Sequence, residues 1–321
     1  MGSESVCNEG GHEAMSEVLI ENIQRWRKKR KAVILAHNYQ RPEVQDIADF
    51  VGDSLELALC AAQTDAKVIL FCGVDFMAET AAILNNDKTV LIPDRNAVCP
   101  MAAMLPAELV ALYREKYPAS RVVLYINTLA EAKAHCDAVC TSANSAEIVN
   151  RMDSDTVLFG PDYNLAQYAK GHTDKTLVSI PKYGFCPVHI LFNKEAILAL
   201  KARHPDAEVL AHPECPPEVC EVADFVGSTS KIYRQALVSK AREFIVATEV
   251  GLIHRLKKGR SDATFIPAYE EAVCAHMKLH TLEKVYLSLK LMRYEVTVPP
   301  DIMALARHAV DVMLETRETL T

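Results

Sequence analysis

Three cysteines at matching positions are the residues in this chain best placed to do chemistry. Cys99, Cys186 and Cys274 each close the same kind of segment, a short apolar strand pattern, a proline, a loop and then the thiol: "KTVLIPDRNAVC", "KTLVSIPKYGFC" and "ATFIPAYEEAVC". They stand 87 and 88 residues apart, and proline follows the first two, Pro100 and Pro187. None has the C-x₂₋₄-C spacing of a structural zinc site, so it is their equivalence that groups them. A cubane iron–sulfur cluster normally takes four cysteines. Three would leave one iron open, as a Lewis acid able to polarise a substrate oxygen and ease loss of water.

A second set of polar residues repeats at the same period. Apolar strands end in "AHNYQ", "YINT" and "AHPEC", which places His37 and Tyr39, then Tyr125 and Asn127, then His212 and Glu214 in equivalent pairs. Some 13 to 15 residues after each pair comes a small hydroxyl-rich turn, "GDS", "TSANS" and "GSTS", carrying Ser54, Ser142, and Ser228 with Thr229. Such turns either cap a following helix or present hydroxyls and free N–H groups to a carboxylate or phosphate. Glu214, His212, Tyr39 and His37 are the side chains of the set able to move protons, and Glu214 is the favoured general base.

These residues need a scaffold that repeats as they do. A third recurring segment, "VILFCGVDFMAETAAIL", "TVLFGPDYNLAQYAK" and "FIVATEVGLIHRLKK", breaks from a strand into a turn and a helical pattern. Short apolar runs alternating with helical periodicity indicate βαβ units and parallel sheets. The expected fold is α/β: three homologous three-layer αβα domains with parallel sheets, arranged with pseudo-threefold symmetry around a central cavity. The expected units are residues 17–103, 104–191 and 192–280, with a helical segment over 281–321 and a flexible N-terminus over 1–16. Because ligands of parallel sheets gather at the carboxyl ends of strands, the polar strand ends, His37, Asn38 and Tyr39 among them, are expected to face that cavity.

Composition narrows the function classes. Half of the 321 residues are hydrophobic and the net charge is −7, which suits a sizeable core and argues against a general nucleic-acid or anionic-membrane binder. The basic run "RWRKKRK" reads as a solvated helix end. No apolar stretch is long enough to span a membrane and residues 1–16 lack the apolar core of a signal peptide, so a cytoplasmic location is expected, with ten cysteines as thiols or metal ligands. Cys60 and Cys72 read as buried core thiols; Cys136 with Cys140, on one helix face, and Cys215 with Cys220, flanking a Pro-Pro turn, are weaker metal or redox candidates; Cys7 lies in a Gly-rich end. His189 and His276, close to the second and third cysteines, are candidate substrate contacts, whereas His135, His172, His204, His254, His280 and His308 read as surface residues.

The segments "AHNYQRPEVQDIADFVGDS", "FCGVDFMAETAAIL", "CPMA", "YINT", "CTSAN", "GFCPVH", "AHPECPPEV", "DFVGSTS" and "MKLHTLEKV", taken in order over roughly residues 17–290, resemble the quinolinate synthase family. The resemblance implies an oxygen-sensitive [4Fe–4S] cluster held by Cys99, Cys186 and Cys274 in a central cavity. It implies condensation of iminoaspartate with dihydroxyacetone phosphate to quinolinate, with loss of phosphate and two waters, for NAD biosynthesis. It carries substrate contacts to His37, Tyr39, Ser54, Tyr125, Asn127, Ser142, His212, Glu214, Ser228 and Thr229, and a functional link to an aspartate-oxidising enzyme. The chain departs from the family pattern at Ala103, where an acid is frequent, and at His276, where Asn is common; it also lacks the extra C-terminal cysteine motif, so no disulfide switch is expected there. Two other readings fit the residues alone: an open-iron hydro-lyase acting on a hydroxy acid, which would need no phosphate site, and a zinc-binding sensor whose cavity does no chemistry.

Overall fold

The computed structural model describes residues 9–315, with side chains from Ser16 onward. Cys7 and the rest of residues 1–8 lie outside them. Among the described residues, twelve strands form three parallel sheets of four. The first holds β1 (Ala32–His37), β2 (Phe50–Gly52), β3 (Val68–Cys72) and β4 (Thr89–Leu91). The second holds β5 (Arg121–Tyr125), β6 (Ala138–Cys140), β7 (Thr156–Gly160) and β8 (Thr176–Ser179). The third holds β9 (Glu208–Ala211), β10 (Phe225–Val226), β11 (Glu243–Ala247) and β12 (Thr264–Pro267). Their spatial orders are β2-β1-β3-β4, β6-β5-β7-β8 and β10-β9-β11-β12. One topology is used three times.

Alternation along the strands explains why both faces of each sheet must be covered. In the third sheet Val209, Ala211, Ile245 and Ala247 pack with Ile197 and Val219 of the helices Lys194–Arg203 and Pro217–Glu221. Their neighbours Leu210, Phe244 and Val246 join the larger core with Ile232, Ala236, Leu252 and Leu256 from the helices Thr229–Val238 and Leu252–Gly259. Successive side chains point to opposite faces, so strands this apolar are stable only between two helical layers. In the first sheet Ile34, Leu70 and Leu91 pack with Ile23 of the helix Glu9–Arg30 and with Leu282, Val285 and Leu289 of the helix Leu282–Leu291. The C-terminal segment is thus divided. Its first helix covers the first sheet, and the last, Pro300–Leu314, packs on β6 and on the helices Ala130–Lys133 and Asp75–Leu84.

Several sequence expectations are corrected here. Cys136 and Cys140 do not share a helix face, because Cys136 precedes β6 and Cys140 ends it, where the strand pairs with β5. His280 is fully buried, and its Nε2 donates to the Gly73 carbonyl at 2.6 Å. Cys72 is buried as expected, but Cys60 is only partly so. The basic run is not merely solvated: Arg27 pairs with Asp49, and Arg30 donates to the carbonyls of Leu289 and Lys290 at 3.1 and 2.9 Å, tying the first helix to the helix Leu282–Leu291.

Each cysteine segment leaves its sheet's fourth strand and leads into a short 3₁₀ turn that begins three residues after the thiol: Ala102–Met104, His189–Leu191 and Met277–Leu279. The second of these segments crowds the end of β7. A Cβ on Gly160 would lie 1.6 Å from the Ile180 carbonyl oxygen, and one on Gly184 would lie 2.0 Å from that of Pro161. Only glycine fits at either position.

Candidate active site

A cavity of about 280 Å³ lies where polar strand ends and cysteine segments of all three sheets meet. His37, Tyr39, Ser54 and Cys99 line it from the first part of the chain, Tyr125, Asn127, Ser142 and Cys186 from the second, and His212, Glu214, Thr229 and Cys274 from the third. Residues some 240 positions apart converge because each strand ends on this side of its sheet. Ser228 is the expected site residue that does not line the cavity. It caps the helix Thr229–Val238, accepting from the Lys231 N–H at 3.4 Å, and donates to Asp53 Oδ2 at 2.8 Å. Asn38 also faces elsewhere: its Nδ2 donates to Thr229 Oγ1 at 2.7 Å and its Oδ1 accepts from Arg255 at 2.7 Å. His37 and Tyr39 share a face and Asn38, between them, takes the other.

The polar floor of the cavity is one connected network. Tyr125 Oη donates to Glu214 Oε1 at 2.5 Å, and the other oxygen of Glu214 lies 2.7 Å from His189 Nδ1. His189 Nε2 lies 2.9 Å from Thr248 Oγ1 and 3.4 Å from Tyr39 Oη, and those two hydroxyls are 2.7 Å apart. His212 stacks on His189 with ring centroids 4.6 Å apart. His189, one of the two candidate histidine contacts, is therefore central, and His276 also lines the cavity. Asn127 Oδ1 is buried with no partner among the described residues, so its amide is available to a ligand.

Burial sets the protonation states. It pushes His37 and His212 down to about 3, so both imidazoles are neutral. It pushes the phenols of Tyr39 and Tyr125 well above their ordinary value, which makes them donors. Burial would also raise Glu214, but its pairing with His189 and the hydrogen bond from the Tyr125 hydroxyl overcome it and hold the carboxyl below its ordinary value. A carboxylate held ionised between two donors is a strong orienting acceptor.

Three acids that sequence reasoning passed over hold the cysteine segments. The backbone N–H of Cys99 donates to Asp75 Oδ1 at 2.9 Å, that of Cys186 to Asp162 Oδ2 at 3.1 Å, and that of Cys274 to Glu249 Oε1 at 3.0 Å. Burial raises all three carboxyls. They were detectable in principle, because Asp75, Asp162 and Glu249 are spaced by 87 residues each, within one residue of the spacing of the thiols. Asp53 was also missed; it lines the cavity and caps the helix Ser54–Gln63 by accepting from the N–H groups of Leu55 and Glu56. That cap leaves the hydroxyl of Ser54, more than the helix end, to meet a ligand.

The chain matches the family model described as "Quinolinate synthetase A protein" over residues 21–315. It is 53% identical over 305 residues to the quinolinate synthase of Methanothermobacter thermautotrophicus, covering 95% of this chain and 100% of that one. The chain belongs to the quinolinate synthetase A family. The quinolinate synthase of Pyrococcus furiosus is 52% identical over 93% of this chain and 98% of its own length, and that of Thermotoga maritima 48% identical over 92% and 99%. Like other quinolinate synthetase A proteins, the chain is an enzyme, and among its described residues no helix is long and apolar enough to cross a membrane.

Membership of the quinolinate synthetase A family implies an iron–sulfur group, and the donor set fits one. The three thiols line one cavity, and backbone N–H groups three residues on, those of Ala102, His189 and Met277, favour the thiolate of Cys99, Cys186 and Cys274 respectively. Soft sulfur ligands with N–H donors around them are the surroundings that iron–sulfur groups take. Burial raises all three thiols, so metal binding must displace their protons.

Proposed function

We propose that this protein condenses iminoaspartate with dihydroxyacetone phosphate, forming quinolinate for NAD biosynthesis and releasing phosphate and two waters. The convergence of three equivalent thiols with the Tyr39–His189–Glu214–Tyr125 network in one cavity is the observation that carries this reading. We further propose that Cys99, Cys186 and Cys274 hold a [4Fe–4S] cluster. When bound, it supplies an open iron site of Lewis acidity that favours dehydration. The three sheets, with their single topology, support a pseudo-threefold arrangement about this cavity and units close to 17–103, 104–191 and 192–280.

The side chains divide the remaining work. Ser54, Ser142, Thr229 and the amide of Asn127 bind the carboxylates of the imine and the phosphate of the triose, with Ser228 positioning Thr229 through the helix cap. Neutral His37 and His212 donate or accept a hydrogen bond without adding charge. Glu214 fixes His189 with its Nδ1 proton inward, leaving Nε2 to exchange a proton with Tyr39 or Thr248 beside the substrate. The enclosing walls of Val74, Phe76 and Met77 keep water from the imine, which hydrolyses readily. An unstable imine favours supply by an aspartate-oxidising enzyme in the same compartment, for which we propose the cytoplasm.

Metal analysis after anaerobic purification tests the cofactor part of this reading. About four irons and four sulfides per chain are expected. One zinc and no sulfide would mean that the thiols form a sensor site instead.

A further inference from the structure

The three thiols repeat, and so does what lies behind them. In each sheet the third strand is followed within three residues by an acid, the half-buried Asp75 after β3 and the fully buried Asp162 after β7 and Glu249 after β11. Each acid reaches 24, 24 or 25 residues along the chain to accept the backbone N–H of its own sheet's cysteine. We propose that Asp75, Asp162 and Glu249 are positioning residues that clasp the three cysteine segments, and that these clasps set how long a bound iron–sulfur cluster is retained. The inference rests on the thiol assignment above and goes beyond it.

Two features favour a positioning role over ordinary loop packing. In each case the accepting oxygen is directed to the cysteine itself and not to another residue of a loop seven or more residues long. The same acid is also anchored to the stem it grows from: Asp75 Oδ1 accepts from the Phe76 N–H at 2.9 Å, Asp162 Oδ1 from Leu165 at 2.7 Å, and Glu249 Oε2 from Gly251 at 2.7 Å. Each carboxylate therefore spans from a rigid strand end to the ligand-bearing residue. With the cysteine's nitrogen fixed on one side and the 3₁₀ turn beginning three residues later on the other, the sulfur has little choice but to face the cavity.

The third clasp does one thing more. Lys278 pairs with Glu249 Oε1 at 2.9 Å and donates to the Tyr39 carbonyl, so the segment bearing Cys274 is joined to the strand end that carries Tyr39. Asp75 and Asp162 have no cation within salt-bridge distance among the described residues. The first clasp, with the fewest other duties, is the one to test.

Asp75→Asn keeps an acceptor oxygen and Asp75→Ala removes it. In anaerobically loaded protein mixed with an iron chelator, the decay of the cluster's visible absorbance should quicken about ten- to a hundredfold in the alanine variant, since outer partners of metal ligands typically carry that much affinity. The asparagine variant should stay within about threefold of the parent, as neutral amides accept more weakly than carboxylates. A second arm needs no metal: in the metal-free proteins, hydrogen exchange of the Cys99 amide should quicken by a similar factor in Asp75→Ala, with the global unfolding midpoint close to the parent's. Parent-like chelator decay in a folded Asp75→Ala would overturn the inference, and so would equal losses in both variants or an unchanged Cys99 amide. A parent protein that takes up no iron and sulfide would instead overturn the thiol assignment, leaving the amide arm to decide whether the clasp exists.

Discussion

Tyr125 and Glu214, 89 residues apart, share a hydrogen bond of 2.5 Å from phenol to carboxylate. It joins the strand end of the second sheet to that of the third, inside the cavity, and both partners are almost wholly buried. Removing one partner leaves the other unsatisfied in a place water reaches poorly, at a cost of about 1–3 kcal/mol. Tyr125→Phe should therefore lower quinolinate formation by about five- to 150-fold, with the chain folded and its iron content unchanged. Steady-state turnover with metal analysis on the same sample checks this.

Tyr39→Phe tests the other end of the network. The Tyr39 hydroxyl pairs with Thr248 and approaches His189, so the phenylalanine variant should slow turnover on the order of tenfold while leaving cluster content intact. Parent-like rates would mean that His189 exchanges protons through Thr248 alone.

Thiol substitutions should separate ligands from filler. Cys99→Ala, Cys186→Ala and Cys274→Ala should each abolish stable cluster binding. Cys72→Ala, at a fully buried site among Ile34, Ala36 and Leu70, should cost about 1–2 kcal/mol of stability and no iron. Iron and sulfide content together with denaturant midpoints measure both effects.

How much of this was legible beforehand follows from what repeats. The 87-residue period exposed the thiols, the strand-end pairs and the hydroxyl turns because each recurs with its neighbours in sequence. The parallel sheets followed from apolar runs that need helices on both faces. What escaped were roles set by distant partners. Ser228 looks like Ser54 and Ser142 in sequence, yet Asp53 draws its hydroxyl away from the cavity. Asn38 sits between two cavity residues and is turned out by Arg255. The partners of Glu214, Tyr125 and His189, arrive from other segments, and His280 looked solvated until Gly73 claimed its ring.

Acid should destabilise the protein through its buried imidazoles. His37 and His212 fall from an ordinary 6.5 to about 3 in the folded chain. Between those values the unfolded chain binds protons that the folded one does not. The stabilisation is present above pH 6.5 and is lost as pH falls toward 3, by about 1.4 kcal/mol per pH unit for each histidine. Denaturant midpoints of the metal-free protein between pH 7.5 and 5 should fall accordingly, and less steeply in His212→Asn. Equal slopes in the parent and the variant would contradict the burial argument.

Gly160→Ala places a methyl group against the Ile180 carbonyl, which is backbone and cannot swing aside. The β7 end and the Cys186 segment that rests on it must move, and a loss of at least about 3 kcal/mol or of soluble expression is expected. Gly171→Ala, whose nearest contact is an ordinary 3.5 Å, should be nearly silent in the same denaturant assay.

The central claim is that this cavity makes quinolinate. The most direct measurement is a single anaerobic assay in which cluster-loaded protein is given iminoaspartate and dihydroxyacetone phosphate, and quinolinate and inorganic phosphate are quantified together. Equal amounts of the two products are predicted, with none from Cys186→Ala. Fully loaded protein that releases no quinolinate from these two substrates would contradict the account.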